Sequence, residues 1–407
     1  MTNNMEQGLN KMEVKELKNN IYSVGAIDWK RRLFDELIPL PDGTSYNSYL
    51  IKGSSKVALI DTVDVSMSDV LLNNLKELKI KNINYIISNH AEQDHSGSIS
   101  DVLKNYPTAK VVTNSKCKHM LVDLLQLPDE KFITISEGDS ILLGDKTLEF
   151  IFAPWVHWPE TMFTYLKEDK VLFTCDFLGS HFATDELFVK NEKKIYNAAK
   201  RYYAEIMMPF KTSVKRNLEK IKDLEIEIIA ASHGPIYNRP KFILDAYKDW
   251  SSDEVKNKVV IPYISMHGST AKIVDYLSGA LTKKGITVES FNLTITDIGE
   301  LAMALVDAAT VIAASPTVLT GAHPNVLYAA YLLKVLKPKL RFISVVGSYG
   351  WGGKMVEQLK ETLASLRAEI IEPVIIKGYP KDQDLKLLKK LAEEIYRKHD
   401  EINIVKD

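Results

Sequence analysis

The chain has 407 residues, 45% of them hydrophobic and 26% charged, and 52 Lys plus Arg against 53 Asp plus Glu leave a formal net charge of −1. The length fits two or three domains, and so even a charge balance gives no reason to expect a nucleic-acid partner. No apolar run nears the roughly 20 residues of a membrane span, and residues 1–20 lack the apolar core of a signal peptide, so a cytoplasmic protein is expected. Cys117 and Cys175 are the only cysteines, which excludes a four-thiolate metal site built from one chain.

In chain order, residues 57–60, 83–88, 110–113, 132–135, 147–152, 162–166 and 170–174 are short apolar or β-branched runs. Most are bounded by Gly, Asp, Asn or Pro, and they read as strands. Gly138-Asp139 and Gly144-Asp145 read as hairpin turns. Apolar residues fall at helical spacing from Asn191 to Met208, and Pro209 is expected to end that helix. A further strand, 226–230, runs into Ser232-His233-Gly234-Pro235. This mixture predicts a layered αββα or related domain over residues 1–252. Residues 253–258 are polar and charged, as a linker would be. From 259 to 407 the pattern is regular. Strands at 259–264, 287–291, 310–314, 342–346 and 369–376 alternate with amphipathic segments near 271–284, 324–336, 353–367 and 382–398. That alternation predicts a doubly wound parallel sheet.

The densest chemistry lies in Asn89-His90-Ala91-Glu92-Gln93-Asp94-His95, directly after the strand at 83–88. On an extended loop, positions 90, 92 and 94 point to one side, and a turn sends His95 to a neighbouring metal. A solvated loop with Asp94 or Ser96 as a helix cap explains one residue and leaves three unexplained. His157, Asp176 and His233 are each a single polar residue at the end of an apolar run. Taken alone, each reads as structural. In this order and with the first cluster, they resemble the metallo-β-lactamase superfamily. Its zinc hydrolases carry His-x-His-x-Asp-His, whereas here Glu92 stands at the second histidine. A carboxylate is a harder ligand and moves the preference from zinc towards iron or manganese. Glu92, Asp94 and Asp176 with one bridging hydroxide balance two ferrous ions, so the site is neutral and can be buried.

In the second half, Ser265-Met266-His267-Gly268-Ser269-Thr270 joins a strand to a helix. It offers hydroxyls and backbone N–H groups to a phosphate at a helix N-terminus; a plain N-cap of small residues explains this loop alone equally well. It is neither a Walker loop nor Gly-x-Gly-x-x-Gly. Ser315-Pro316-Thr317-Val318-Leu319 and Ser348-Tyr349-Gly350-Trp351-Gly352 follow the third and fourth strands, at the carboxyl ends where such sheets bind ligands. Two aromatics among glycines suit a flat ring against exposed backbone. The three loops together are similar to flavodoxin, with FMN the implied ligand held by Ser265, His267, Gly268, Ser269, Thr270, Ser315, Pro316, Thr317, Leu319, Ser348, Tyr349, Gly350, Trp351 and Gly352.

A β-lactamase-like domain followed by a flavodoxin-like one resembles the flavodiiron proteins (A-type flavoproteins), from Thr44-Ser45-Tyr46-Asn47 to the last helix. The resemblance implies that His90, Glu92 and His157 hold one iron and Asp94, His95 and His233 the other, with Asp176 bridging. It implies reduction of dioxygen to water or of nitric oxide to nitrous oxide. It also implies head-to-tail dimers, or a dimer of dimers, that set one subunit's FMN beside the other's irons. The donor is a separate rubredoxin or reduced coenzyme F(420). Gly179-Ser180-His181-Phe182 and the loop 348–353 look closer to the methanogen branch that uses the latter and reduces dioxygen. His181 is expected either behind the ligands, where it would gate substrate, or as a packed histidine. Cys175 reads as a small core residue. Two other classes compete: a zinc hydrolase with a flavodoxin docking module, and a non-catalytic electron carrier with a degenerate first domain. Glu92 argues against the former and the complete ligand set against the latter.

Overall fold

The short apolar runs of the first half pair into two sheets that face each other. In a computed structural model, residues 13–405 are described, and the chain divides into two units, 1–251 and 252–407. Among the described residues, no helix is long and apolar enough to cross a membrane.

The first sheet contains Lys15–Lys18 (β1), Ile21–Ser23 (β2), Tyr49–Lys52 (β3), Val57–Ile60 (β4), Tyr85–Ile87 (β5), Lys110–Asn114 (β6) and Phe132–Ile135 (β7), side by side in that order. β1 to β4 pair antiparallel and β4 to β7 parallel. Helices Ser68–Glu77 (α1), Ile99–Asn105 (α2) and Ser115–Leu125 (α3) fill the crossovers. The second sheet runs Ser140–Leu142 (β8), Thr147–Phe152 (β9), Met162–Leu166 (β10), Val171–Cys175 (β11) and Ile228–Ala231 (β12), with the last pair parallel. Successive side chains on a strand face opposite ways. Ala58 and Ile60 therefore meet Phe150, Met162 and Phe173 in the core between the sheets, while Leu59 joins Leu71 and Leu103 in the core under the helices. Burial on both faces is why these strands read as unbroken apolar runs.

Gly144-Asp145 lies in the turn of the β8–β9 hairpin. Gly138-Asp139 does not close a hairpin, because β7 and β8 belong to different sheets; Gly138, at φ +81, turns the chain from one sheet to the other. Pro209 does not end the helical segment either. Glu192–Tyr202 (α4), capped by the Asn191 side chain, continues through a wider turn at Tyr203–Met207 and a tight one at Met208–Phe210 into Lys211–Lys220 (α5). Pro209 sits in the first turn of that tight segment, where its missing N–H is not needed. Pro240–Ser251 (α6) closes the unit.

The second unit begins with Lys256–Tyr263 (β13), three residues before the apolar run starts. The charged start is accommodated because buried Lys258 pairs with buried Asp307. Ser269–Thr282 (α7), Thr287–Asn292 (β14), Ile298–Leu305 (α8), Ala308–Val318 (β15), Pro324–Leu336 (α9), Phe342–Tyr349 (β16), Met355–Leu363 (α10), Glu369–Ile370 (β17), Val374–Lys377 (β18) and Asp382–Glu401 (α11) follow. The parallel sheet has the order β14-β13-β15-β16, with β17 and β18 both on β16. The expected single last strand is split around Pro373, which has no N–H to give a ladder. Apolar cores cover both faces of the sheet.

Candidate metal centre and flavin loops

Each ligand-type residue of the first unit sits just past the carboxyl end of a strand: His90 after β5, His157 after β9, Asp176 after β11 and His233 after β12. The loop after β5 is pinned from below. Buried Asp61 accepts the Asn89 N–H at 2.7 Å and its Nδ2 at 2.9 Å. Glu92 ends the extended stretch, and Gln93–Ser96 forms one helical turn. That turn rotates Asp94 away from the side shared by His90 and Glu92 and puts it with His95. The expectation that positions 90, 92 and 94 share one side is corrected by this turn. At β11, Cys175 has φ +50 and the ladder to β12 shifts register. Such an irregularity re-aims the chain, here at Asp176.

Seven side chains form two groups that meet at Asp176. In the first, His90 Nε2 lies 3.1 Å from Glu92 Oε2 and 3.5 Å from Asp176 Oδ2, and His157 Nε2 lies 3.2 Å from each of the same two oxygens. In the second, His95 Nε2 is 3.2 Å from Asp94 Oδ1 and 2.8 Å from Asp176 Oδ1, while His233 Nε2 is 3.2 Å from Asp94 Oδ2 and from Asp176 Oδ1. Ligand atoms about 2.1 Å from one ion, at angles of about 90–110°, stand about 3.0–3.4 Å apart. The spacing is that of atoms arranged around a shared centre.

The orientation of the atoms agrees. Both Asp94 oxygens, both His95 ring nitrogens and Asp176 Oδ1 are buried without a hydrogen-bond partner, although His95 Nε2 and Asp176 Oδ1 are close enough for one. Except for His95 Nδ1, on the outer side of its ring, they converge on common points instead of on each other. Buried polar atoms arranged this way suit a bound ion, and a set of imidazoles and carboxylates is one that iron, manganese or zinc accepts. The field is cation-seeking. Burial would raise the Asp176 carboxyl, but His95, His157 and His233 outweigh it and hold it well below the usual range. Burial likewise disfavours charge on the imidazoles, yet the carboxylates raise His157 to about 9 and His233 to about 10.

Glu160 is a residue that sequence reasoning missed. It is buried, and its Oε1 accepts from His90 Nδ1 at 2.7 Å and from the Ala91 N–H at 3.0 Å. Its only signal was a carboxylate three positions after His157. His233 Nδ1 donates to the Ser45 carbonyl at 2.6 Å, which leaves Nε2 for the centre. Asn47 and Tyr49 bind the turn that carries His233. His181 is packed against His233, Tyr202 and Phe34, with ring centroids 4.7, 4.9 and 5.0 Å away, and its Nδ1 lies 2.9 Å from Thr44 Oγ1. Burial and the neighbouring His233 push its imidazole well down, so it is neutral. Cys175 is buried, and burial pushes its thiol well up, away from the thiolate a metal needs.

In the second unit the three candidate flavin loops lie at the carboxyl ends of β13, β15 and β16. Gly268, at φ +86, caps α7 with no side-chain hydrogen bond, and Ser265 Oγ accepts the Ala271 N–H at 3.0 Å. Thr270 Oγ1 and Ser348 Oγ are 3.2 Å apart, so the first and last loops meet. A Cβ added at Gly268, Gly350 or Gly352 would meet nothing within 4 Å, so these glycines border open space, as a ligand cradle requires. Thr317, Tyr349 and Gly352 line a small cavity. Leu319 and Trp351 are exposed, as is His267. Ser315 is placed differently: it is buried, and its hydroxyl is engaged by the Pro316 carbonyl and the His323 N–H. Pro316 is buried beside it in β15, and Ser269 opens α7.

Comparison with known proteins fits both units. Residues 44–234 match the model of the ODP family beta lactamases. Over 94% of this chain and 99% of its own length, a flavo-diiron protein of Clostridium acetobutylicum is 31% identical. The chain belongs to the flavodiiron protein family. Within it, a nitric oxide reductase of Moorella thermoacetica is 34% identical over 93% of this chain and 97% of its own. A coenzyme F(420)H(2) oxidase of Methanothermobacter marburgensis is 30% identical over 95% and 100%. Among solved structures, the rubredoxin oxygen:oxidoreductase of Desulfovibrio gigas superposes with a TM-score of 0.92 at 28% identity, covering 96% of this chain and 99% of that one.

Proposed function

We propose that this flavodiiron protein is an oxidoreductase that takes electrons through FMN to a pair of irons and reduces dioxygen to water, with reduced coenzyme F(420) as donor. The observation that carries the reading is Asp176, whose two oxygens face two separate groups of ligand atoms. One carboxylate shared in this way sets two ions side by side. His90, Glu92 and His157 would hold one, and Asp94, His95 and His233 the other. When bound, FMN accepts electron pairs and releases single electrons, and paired ferrous ions reduce a diatomic gas.

The chain's own residues do the holding. Glu160 and the Ser45 carbonyl fix the rings of His90 and His233. Thr44, Phe34 and Tyr202 hold neutral His181 at the back of the second group, where it excludes water. Ser265, His267, Gly268, Ser269 and Thr270 would take the FMN phosphate, and the loops at 315–319 and 348–352 its ring. A head-to-tail dimer or dimer of dimers in the cytoplasm would bring one subunit's flavin to the other's irons.

Glu92, within 3.2 Å of both His90 and His157, stands against the zinc hydrolase alternative, since a hard oxygen donor favours iron. Reduction of nitric oxide is the second reading, favoured by the nitric oxide reductase of Moorella, and a separate rubredoxin would be its donor. Parallel assays decide between them. Reduced coenzyme F(420) or reduced rubredoxin is offered to the iron-loaded protein under dioxygen or nitric oxide, and gas consumption is followed by electrode. Faster turnover with F(420) and dioxygen is expected. Turnover only with rubredoxin and nitric oxide would replace the proposal by the second reading.

A further inference from the structure

The two groups have the same ligand types: two imidazoles, one carboxylate of their own and one oxygen of Asp176. Their inner ligands give no reason for unequal affinity. What stands behind the imidazoles differs. His90 Nδ1 donates to Glu160 Oε1 at 2.7 Å, and Glu160 is only 3% exposed. The Glu160 backbone is fixed too, since Asn114 Nδ2 donates to its carbonyl at 2.6 Å. In the second group, His233 Nδ1 donates to the neutral Ser45 carbonyl, and His95 Nδ1 has no hydrogen-bond partner. A full negative charge is therefore hydrogen-bonded to a ligand of the first group, and none is hydrogen-bonded to the outer nitrogen of either imidazole of the second.

A carboxylate on the outer nitrogen fixes the ring and makes Nε2 a stronger donor, and such a partner is typically worth about 10–100-fold in metal affinity. Glu160 also brings a fourth carboxylate, a buried one, to a charge count that three carboxylates and a hydroxide would balance. Resting on the metal-centre reading above, we infer that Glu160 is a positioning residue that makes the His90–Glu92–His157 position the tighter of the two. It acts through His90 and belongs to neither ligand group.

The test compares the iron-loaded wild type with Glu160→Gln, whose amide oxygen still accepts from His90 but carries no charge. Both are dialysed against graded chelator. Iron at each position is read by anomalous scattering from crystals, with FMN content and circular dichroism as controls. The wild type should empty at Asp94–His95–His233 first. In Glu160→Gln the His90 position should empty at about 10–100-fold lower chelator, with FMN content unchanged. A first position that empties first in the wild type would overturn the inference whether or not the variant folds, and so would a variant that releases iron as the wild type does. A wild type that never holds two metals would overturn the metal-centre reading instead.

Discussion

Replacing Asn47 by Ala should cost about 2–4 kcal/mol and loosen the turn that carries His233. Asn47 Nδ2 donates to Ala231 O at 2.9 Å and to Gly234 O at 2.8 Å, clamping both ends of that turn in the buried interior. Each neutral bond contributes about 1 kcal/mol net, and a buried acceptor stripped of its donor costs about 1–3 kcal/mol. Ala231 O also accepts the Tyr49 hydroxyl at 2.6 Å, so it stays satisfied and only the Gly234 carbonyl loses its side-chain donor. The lost bond to Ala231 O, about 1 kcal/mol, and the stripped Gly234 acceptor, about 1–3 kcal/mol, give the stated range. Tyr49→Phe removes one bond from an acceptor that Asn47 still serves and should cost about 1 kcal/mol. The double variant should exceed the sum of the singles, because Ala231 O then loses both side-chain donors. Urea unfolding followed by tryptophan fluorescence measures all three, and iron content should fall in Asn47→Ala before stability limits expression. A cost below about 0.5 kcal/mol for Asn47→Ala, or a Tyr49→Phe cost equal to it, would refute the reasoning.

Other expectations are more local. A Cβ at Gly347 would stand 2.1 Å from the Ser315 carbonyl oxygen, so Gly347→Ala should destabilise the second unit by about 3 kcal/mol or more. Gly350→Ala meets open space and should stay within about 0.5 kcal/mol of wild type by the same urea midpoints. Gly268→Ala should cost about 1–2 kcal/mol for its left-handed backbone yet weaken FMN further in a fluorescence titration, since the methyl enters the proposed phosphate cradle. His399 is buried between Thr310 Oγ1 and Asn257 Oδ1, and burial pushes it down to about 4. The unfolded chain takes that proton first, near about 6.5. Stability from this group is thus complete above that value and is lost as pH falls towards 4, by up to about 3 kcal/mol. His399→Gln should flatten that stretch of the urea-midpoint profile, and an unchanged profile would contradict the assignment.

Legibility in the sequence followed burial. Strands with both faces covered, such as β4, β10 and β15, announce themselves as apolar runs. β1 carries three charged residues in Lys15–Lys18 and no apolar run, so it lay outside what hydrophobic pattern can find. Ile298–Leu305 carries no helical signature in the sequence, because it is short and apolar almost all round, without the stripe that marks a surface helix. The seven candidate ligand positions were readable because four crowd into the loop after one apolar strand and His157, Asp176 and His233 each follow the end of another. Their division into two groups was readable only in part: one helical turn at Gln93–Ser96 decides which way Asp94 points, and a four-residue turn leaves no periodicity. Glu160, Ser45 and Asn47 act through hydrogen bonds to residues far along the chain, and spacing carries no trace of such pairs. Ser315 shows the converse. It looked like a ligand hydroxyl and is spent on holding its own loop.

The central claim, that electrons leave through a metal pair and not from flavin alone, is tested most directly by the electron count per dioxygen. Protein loaded with FMN and iron is reduced anaerobically, mixed with a limiting amount of dioxygen in a stopped-flow cell, and assayed for peroxide. Four electrons should be consumed per dioxygen with no peroxide formed, and both should be lost in His90→Ala while FMN remains bound. Two electrons per dioxygen with stoichiometric peroxide, unchanged by His90→Ala, would contradict the claim.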